Sequence, residues 1–138
     1  MIDELDRALS AEYQPEQRHG LALDAIFQPH VRFFLAQLNG RAVGCGGVAL
    51  FADFAEVKRM YVRDAARGKG VAQALLARIE MEARTAGLAL VRLETGDRQE
   101  AAMRLYARAG FHRCPAFGAY AAMPSAAIGT SVFFEKRI

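Results

Sequence analysis

The densest group of chemically useful residues is Arg67-Gly68-Lys69-Gly70-Val71-Ala72, which follows a strand-like run and enters a helix-like one. Backbone N–H groups converge at such a turn where the helix dipole is positive, and this favours a phosphate. Gly68 and Gly70 let the backbone approach an anion without Cβ interference, while Arg67 and Lys69 add positive charge. No Ser, Thr, Asp or Asn directly precedes the helix after Gly70, so its first N–H groups look to an anion or to water. A plain tight turn with solvated basic residues is the competing reading. Glu56 opens the strand-like stretch AEVKRMYV as a carboxylate in apolar company, where it needs either a chemical role or a salt bridge to Lys58, Arg59 or Arg92. Glu94 ends the next apolar stretch and could act similarly, or pair with Arg92 or Arg104. Tyr106 offers a neutral phenol at pH 7, although its helix face, shared with Ala102, Leu105 and Ala109, would also suit a core tyrosine.

Other chemistries fit the letters less well. A nucleoside-triphosphate loop needs Ser or Thr after its Gly-Lys, whereas Gly70 and Val71 follow Lys69. A dinucleotide fingerprint needs a third Gly where Gln73 stands, which leaves a nicotinamide-dependent oxidoreductase as a weak alternative. His19, His30 and His112 lie in separate segments without ligand spacing, so no metal site is expected. Ser10, Ser125 and Ser131 lack a strand-to-helix elbow, and Cys114 has Pro115 beside it and no placed base.

The elements that must hold these residues can be read from periodicity. The segment from 1 to about 10 and Leu21 to Phe27 read as short helices. VRFFLAQL and AVGCGGVALF flank Asn39-Gly40, a strong hairpin signal because both turn residues must take positive φ. AEVKRMYV is a third strand. Val71, Ala72, Leu75, Leu76, Ile79, Ala83 and Ala86 then mark one buried helix face, with Gly87 as a left-handed terminator. LALVRLET reads as the next strand. Asp97 and Glu100 resemble a capping box for a helix running to about Ala109 and stopped by Gly110. A run from Phe111 to Phe117, a long loop and the strand SVFFEK complete the chain. The order predicts an α/β or α+β fold with a mixed sheet and short antiparallel terminal strands.

At 138 residues the chain has the length of one domain, spanning 1–138. A formal charge of +3 is too small to argue for nucleic acid or an anionic membrane, and suits a small anionic ligand. No apolar run approaches the roughly 20 residues of a membrane span, and the acidic, amphipathic start is unlike a signal peptide, so a cytoplasmic protein is expected. Cys45 and Cys114 are expected to be reduced structural thiols.

Arg67-x-x-Gly70-x-Ala72 resembles the (Q/R)-x-x-G-x-(G/A) signature of the GNAT superfamily of N-acetyltransferases, and LYARAGF, Leu105 to Phe111, resembles its second motif. The two stand in the order that this fold requires, and the likeness spans roughly residues 31 to 113. Two departures are visible: the superfamily's first strand looks missing or displaced, and Gln99 stands where many members have Asn. The resemblance implies a mostly antiparallel twisted sheet flanked by helices. It also implies acetyl-CoA as co-substrate without a metal, its pyrophosphate on the N–H groups of Arg67, Gly68, Lys69, Gly70, Val71 and Ala72. The pantetheine arm would lie along Met60, Tyr61 and Val62, near a bulge that aims an N–H at the thioester carbonyl, with Gln99 and Tyr106 also in contact.

By the same resemblance Tyr106 would protonate the departing thiolate and Glu56 would accept the amine proton, with Glu94 as the substitute base. The acceptor is then expected to be a small, partly hydrophobic amine or amino acid, acted on by a monomer or homodimer. The loop PAFGAYAAMPSAAIGT resembles one found in small bacterial members, and with the first helices it is expected to wall the acceptor pocket through Phe117 and Tyr120. A non-catalytic acyl-CoA sensor is the alternative.

Overall fold

The computed structural model describes residues 28–138. The two expected N-terminal helices and His19 lie outside the described residues, as does the segment on which the expectation of a missing or displaced first strand rests. Strands β1 (Val31–Leu38) and β2 (Arg41–Leu50) form the expected hairpin, with Asn39 at φ 52° and Gly40 at φ 80°. Both turn residues are left-handed, which matches the twist of the flanking strands. β3 (Ala55–Val62) continues antiparallel to β2. A short 3-10 turn, Asp64–Ala66, leads to the glycine loop and then to helix α1 (Val71–Thr85).

Helix α1 buries Leu75, Leu76, Ile79 and Ala83 of the expected face; Val71 and Ala72 are half-buried, and Ala86 is exposed because it lies just past the helix end. Gly87, at φ 81°, ends it, with its N–H bonded to the Arg84 carbonyl and the Leu88 N–H reaching back to that of Ala83. Those two bonds satisfy carbonyls that the helix terminus would otherwise leave open. β4 (Leu90–Gly96) follows, and helix α2 covers Glu100–Arg108. The expected capping box does not form: α2 is preceded by Gln99 without a side-chain cap bond, and the Asp97 N–H is drawn to the Thr130 carbonyl. Both α1 and α2 therefore begin without a side-chain cap.

The chain closes with β5 (His112–Arg113), a 3-10 turn at Gly118–Ala122, the short helix α3 (Ser125–Ile128) and β6 (Ser131–Arg137). Of the run from Phe111 to Phe117, only His112 and Arg113 join the sheet. The six strands lie in the order β1-β2-β3-β4-β6-β5, with β3 and β4 parallel and the other neighbours antiparallel. This is the mixed, mostly antiparallel sheet expected from the order of elements. Among the described residues no helix is long and apolar enough to cross a membrane.

Strand alternation divides the interior. Val48, Val57, Val91, Leu93, Val132 and Phe134 pack with Leu76, Ile79 and Ala83 of α1 and with Tyr106 of α2. Leu90 and Phe133 point the other way and pack with Phe54, Phe117, Tyr120, Met123 and Ile128. The long loop thus covers the sheet face opposite the two main helices.

Glycines in β2 set how closely α1 approaches the sheet. A Cβ on Gly44 would lie 2.9 Å from Val71 Cγ1 and 3.0 Å from the Tyr61 carbonyl oxygen, and one on Gly46 would lie 3.1 Å from Met60 Sδ. Gly44→Ala should therefore push the first turn of α1 away from β2. We expect a loss of about 1–3 kcal/mol, the usual cost of overpacking, measured by urea unfolding.

Candidate active site

After Ala55↔Val91 and Glu56↔Arg92, the ladder between β3 and β4 stops, while β4 continues its pairing with β6 as far as Gly96. Three residues further along β3, Arg59 adopts φ 51°, and the register with β2 slips between Cys45 and Gly47. This is the bulge that the resemblance implies. A non-glycine residue in this region costs about 1–3 kcal/mol, so the surroundings must hold it there. Part of the hold is visible: the buried Cys45 thiol donates to the Arg59 carbonyl at 3.4 Å.

The end of β3 lines a groove of about 290 Å³ with the glycine loop and both main helices. Met60, Tyr61, Val62, Arg67, Gly68, Gly70, Val71, Ala72, Gln99 and Tyr106, all singled out in the sequence, line it together. Gly68 (φ 77°) and Gly70 (φ 79°) are left-handed, and a Cβ on either would meet nothing within 4 Å. Their conformation demands glycine, and the space before them is open. The uncapped N-termini of α1 and α2 both contribute to the lining. An extended ligand bearing an anionic group fits this lining, since open backbone donors and helix dipoles favour negative charge there.

The charges expected beside the loop are arranged differently. Arg67 bonds the Val62 carbonyl through Nε at 3.2 Å and pairs with Asp64 at 3.0 Å, so its guanidinium also ties the loop to β3. Lys69 is exposed and outside the lining. Arg108 on α2 is inside it, as are Ala66, Gln73, Ala101, Ala102 and Leu105. The sequence did not mark these six as site residues. The three-and-four spacing that joins Ala101, Leu105 and Arg108 was a usable signal, once α2 was known to face the groove.

Tyr106 is 6% exposed, and its ring contacts Phe111 and Phe134 at centroid distances of 5.9 and 6.3 Å. It is a core residue and a groove residue at once. Burial, reinforced by the Glu94 carboxylate, holds its phenol well above the ordinary tyrosine range. The phenol therefore stays protonated near neutral pH.

Glu56 and Glu94 lie outside the groove lining, as do Phe117 and Tyr120. Glu56, 4% exposed, sits at the last paired position before the strands part. Of the three salt-bridge partners considered it pairs with Lys58, at 2.9 Å, and it accepts a hydrogen bond from Tyr120 at 2.7 Å. Arg92 instead pairs with Glu135 at 3.4 Å and lies over the rings of Phe54 and Phe117. Glu94 accepts from Ser131 Oγ at 2.7 Å, and Arg104 pairs with Glu100. Phe117 is enclosed by Phe54, Tyr120 and Phe133, so the loop expected to wall the acceptor pocket forms a second core in which Phe117 is only 5% exposed. Burial and the neighbouring Glu56 also raise the Tyr120 phenol far above its usual range. Burial, with Glu135 nearby, pushes the Cys114 thiol up to about 11, which disfavours the thiolate that covalent chemistry would need.

The model of the acetyltransferase (GNAT) family matches residues 1–111. The chain is 42% identical to a protein of Azospirillum brasilense named IAA acetyltransferase, over 99% of this chain and 87% of that protein. Among solved structures, a Klebsiella pneumoniae protein assigned as an acyl-CoA N-acyltransferase superposes with a TM-score of 0.80 at 34% identity, covering 99% of this chain and 86% of the other. A Bacillus anthracis protein assigned as a streptothricin acetyltransferase, solved with acetyl coenzyme A, shares the fold at a TM-score of 0.68 and 19% identity, over 82% and 65% of the two chains.

The two buried tyrosines generate a pH prediction. In the unfolded chain they ionise near about pH 10, whereas in the folded chain they stay protonated above that value. The folded state then binds more protons, so stability is intact below about pH 10 and falls as pH rises through the interval up to the folded values. Stability followed by circular dichroism between pH 8 and 12 should show this alkaline loss, and Tyr106→Phe should make it shallower.

Proposed function

We propose, for a chain that belongs to the acetyltransferase (GNAT) family and is an acetyl-CoA-dependent N-acetyltransferase, direct transfer of acetyl to a primary amine of a small molecule or amino acid by a single domain of residues 1–138. The observation that carries this reading is the groove where β3 leaves β4, because it joins an open strand edge, a left-handed glycine loop and a buried phenol. Acetyl-CoA supplies the activated thioester. The loop from Arg67 to Ala72 receives the pyrophosphate on its N–H groups, and the edge at Met60 to Val62 receives the pantetheine arm as an added strand. The bulge at Arg59 shifts the direction of the following N–H groups, and so suits them to the carbonyl oxygen as it gains charge.

Transfer forms a C–N bond at the acetyl carbonyl and breaks the C–S bond. The amine nitrogen must lose a proton, and the sulfur leaves as a thiolate that must gain one. Glu56, at the fork of the two strands, takes the amine proton directly or through water. Tyr106 gives its proton to the thiolate, for which a neutral phenol is required. Glu94 faces this region from β4 and acts on the Tyr106 phenol electrostatically. Family membership removes the support for a nicotinamide-dependent enzyme.

Two measurements test the proposal. Acetyl-CoA should raise the melting midpoint, since a ligand that binds only the native state stabilises it. CoA release from acetyl-CoA should then be observed with at least one amine among glycine, L-phenylalanine, phenethylamine and aminomethylphosphonate. Tyr106→Phe should lower kcat about 10²-fold or more, the usual scale of general acid–base catalysis, while leaving the acetyl-CoA-induced melting shift in place. Tight binding with no turnover on any of the amines would count against transfer to a small primary amine.

A further inference from the structure

On the sheet face opposite the main helices, one oxygen of Glu56 is held from two sides. Tyr120 Oη lies 2.7 Å from Glu56 Oε2, Lys58 Nζ lies 2.9 Å from the same oxygen, and Lys58 Nζ lies 2.8 Å from Tyr120 Oη. An ammonium has only donors, so it donates to the phenol oxygen, and the phenol hydrogen must then point to the carboxylate. The direction of each bond in this triangle is fixed by chemistry. Both partners hold Oε2, and among the described residues Oε1 carries no hydrogen bond.

The phenol is in turn fixed by the loop that carries it. Its ring lies between Phe117 and Phe133, at centroid distances of 5.4 and 5.3 Å, and the 3-10 turn is closed by the Tyr120 N–H on the Phe117 carbonyl and the Met123 N–H on that of Tyr120. Gly118, at φ 53°, brings this turn against Phe54, where a Cβ would already lie 3.4 Å from the ring. So much packing around one hydroxyl would be superfluous if the loop only covered apolar surface, since a phenylalanine would fill the same space.

We infer that Tyr120 is a positioning residue: the loop between β5 and β6 exists in part to hold one oxygen of Glu56, so that the other faces the acceptor amine in a fixed orientation. This rests on the reading of Glu56 as the group that takes the amine proton. It gives the loop a role in turnover and not in the affinity for acetyl-CoA, because its residues lie outside the cofactor groove. A base held in one orientation loses less entropy on reaching the reactive geometry.

The test is a cycle of native protein, Tyr120→Phe, Glu56→Gln and the double variant, with acetyl-CoA and the fastest amine of the panel above. Tyr120→Phe keeps the ring, and an unchanged acetyl-CoA-induced melting shift verifies folding. In the native background it should lower kcat about tenfold with KM for the amine within about twofold, whereas in the Glu56→Gln background it should cost less than about twofold. Removing a general base costs about 10²–10⁴-fold, which leaves a rate measurable at high enzyme concentration. Equal losses in both backgrounds, or no loss in the native one, would overturn the positioning role. If Glu56→Gln alone keeps the native kcat, the reading of Glu56 as base fails and the positioning role with it. If Glu56→Gln is slow while Tyr120→Phe is not, only the role of Tyr120 fails.

Discussion

The parting of β3 from β4 after Glu56 and Arg92 governs the arrangement of everything around it. Two parallel strands that stay paired would bury their edges in a ladder and leave no space between them. Here the pairing ends after two residues, while β4 stays paired with β6 along its other edge from Leu90 to Gly96. The end of β3 becomes one wall of a groove, with the glycine loop, the first turn of α1 and one face of α2 as the others. Backbone polarity is costly to bury without partners, so an open strand edge beside two uncapped helix starts is a surface prepared for a ligand with its own acceptors and donors.

The geometry of the fork depends on close approach. Gly44 and Gly46 let α1 lie directly on β2, and the slip of register opposite them produces the left-handed Arg59. Side chains at those glycines would meet Val71 and Met60, both of which line the groove. Cys45 lies between the two glycines, and its thiol bonds the Arg59 carbonyl across the bulge. Its structural role is therefore more specific than burial alone.

Two carboxylates give the fork its electrostatic character. Glu94 raises both the Tyr106 phenol on the helix side and the Tyr120 phenol on the loop side, and Glu56 adds to the second effect. Each tyrosine stays neutral, one lining the groove and the other as a donor to Glu56. The sheet thus separates the side that carries the groove from a side organised around the proposed base. Lys58 supplies the positive charge that makes a carboxylate tolerable at 4% exposure.

Local chemistry was legible in the letters. Asn39-Gly40 specified the hairpin because positive φ is needed at both positions, the apolar spacing specified the buried face of α1, and Gly87 marked its end. The loop from Arg67 to Ala72 was recognisable because its left-handed positions need glycine, which glycine spacing encodes directly. Asp97 misled because its backbone is claimed by Thr130, a partner distant in sequence that no local pattern reveals. The same distance concealed the triangle of Glu56, Lys58 and Tyr120: the charge pair was one of several possible, and only the fold brings a tyrosine 64 residues away onto the carboxylate. The sequence by itself determined the hairpin, the two main helices, the family resemblance and the left-handed glycine loop, all of which rest on short-range sterics and periodicity. Tertiary structure alone decided which sheet face each side chain meets and where β3 and β4 separate, because those depend on contacts between segments that no local spacing constrains.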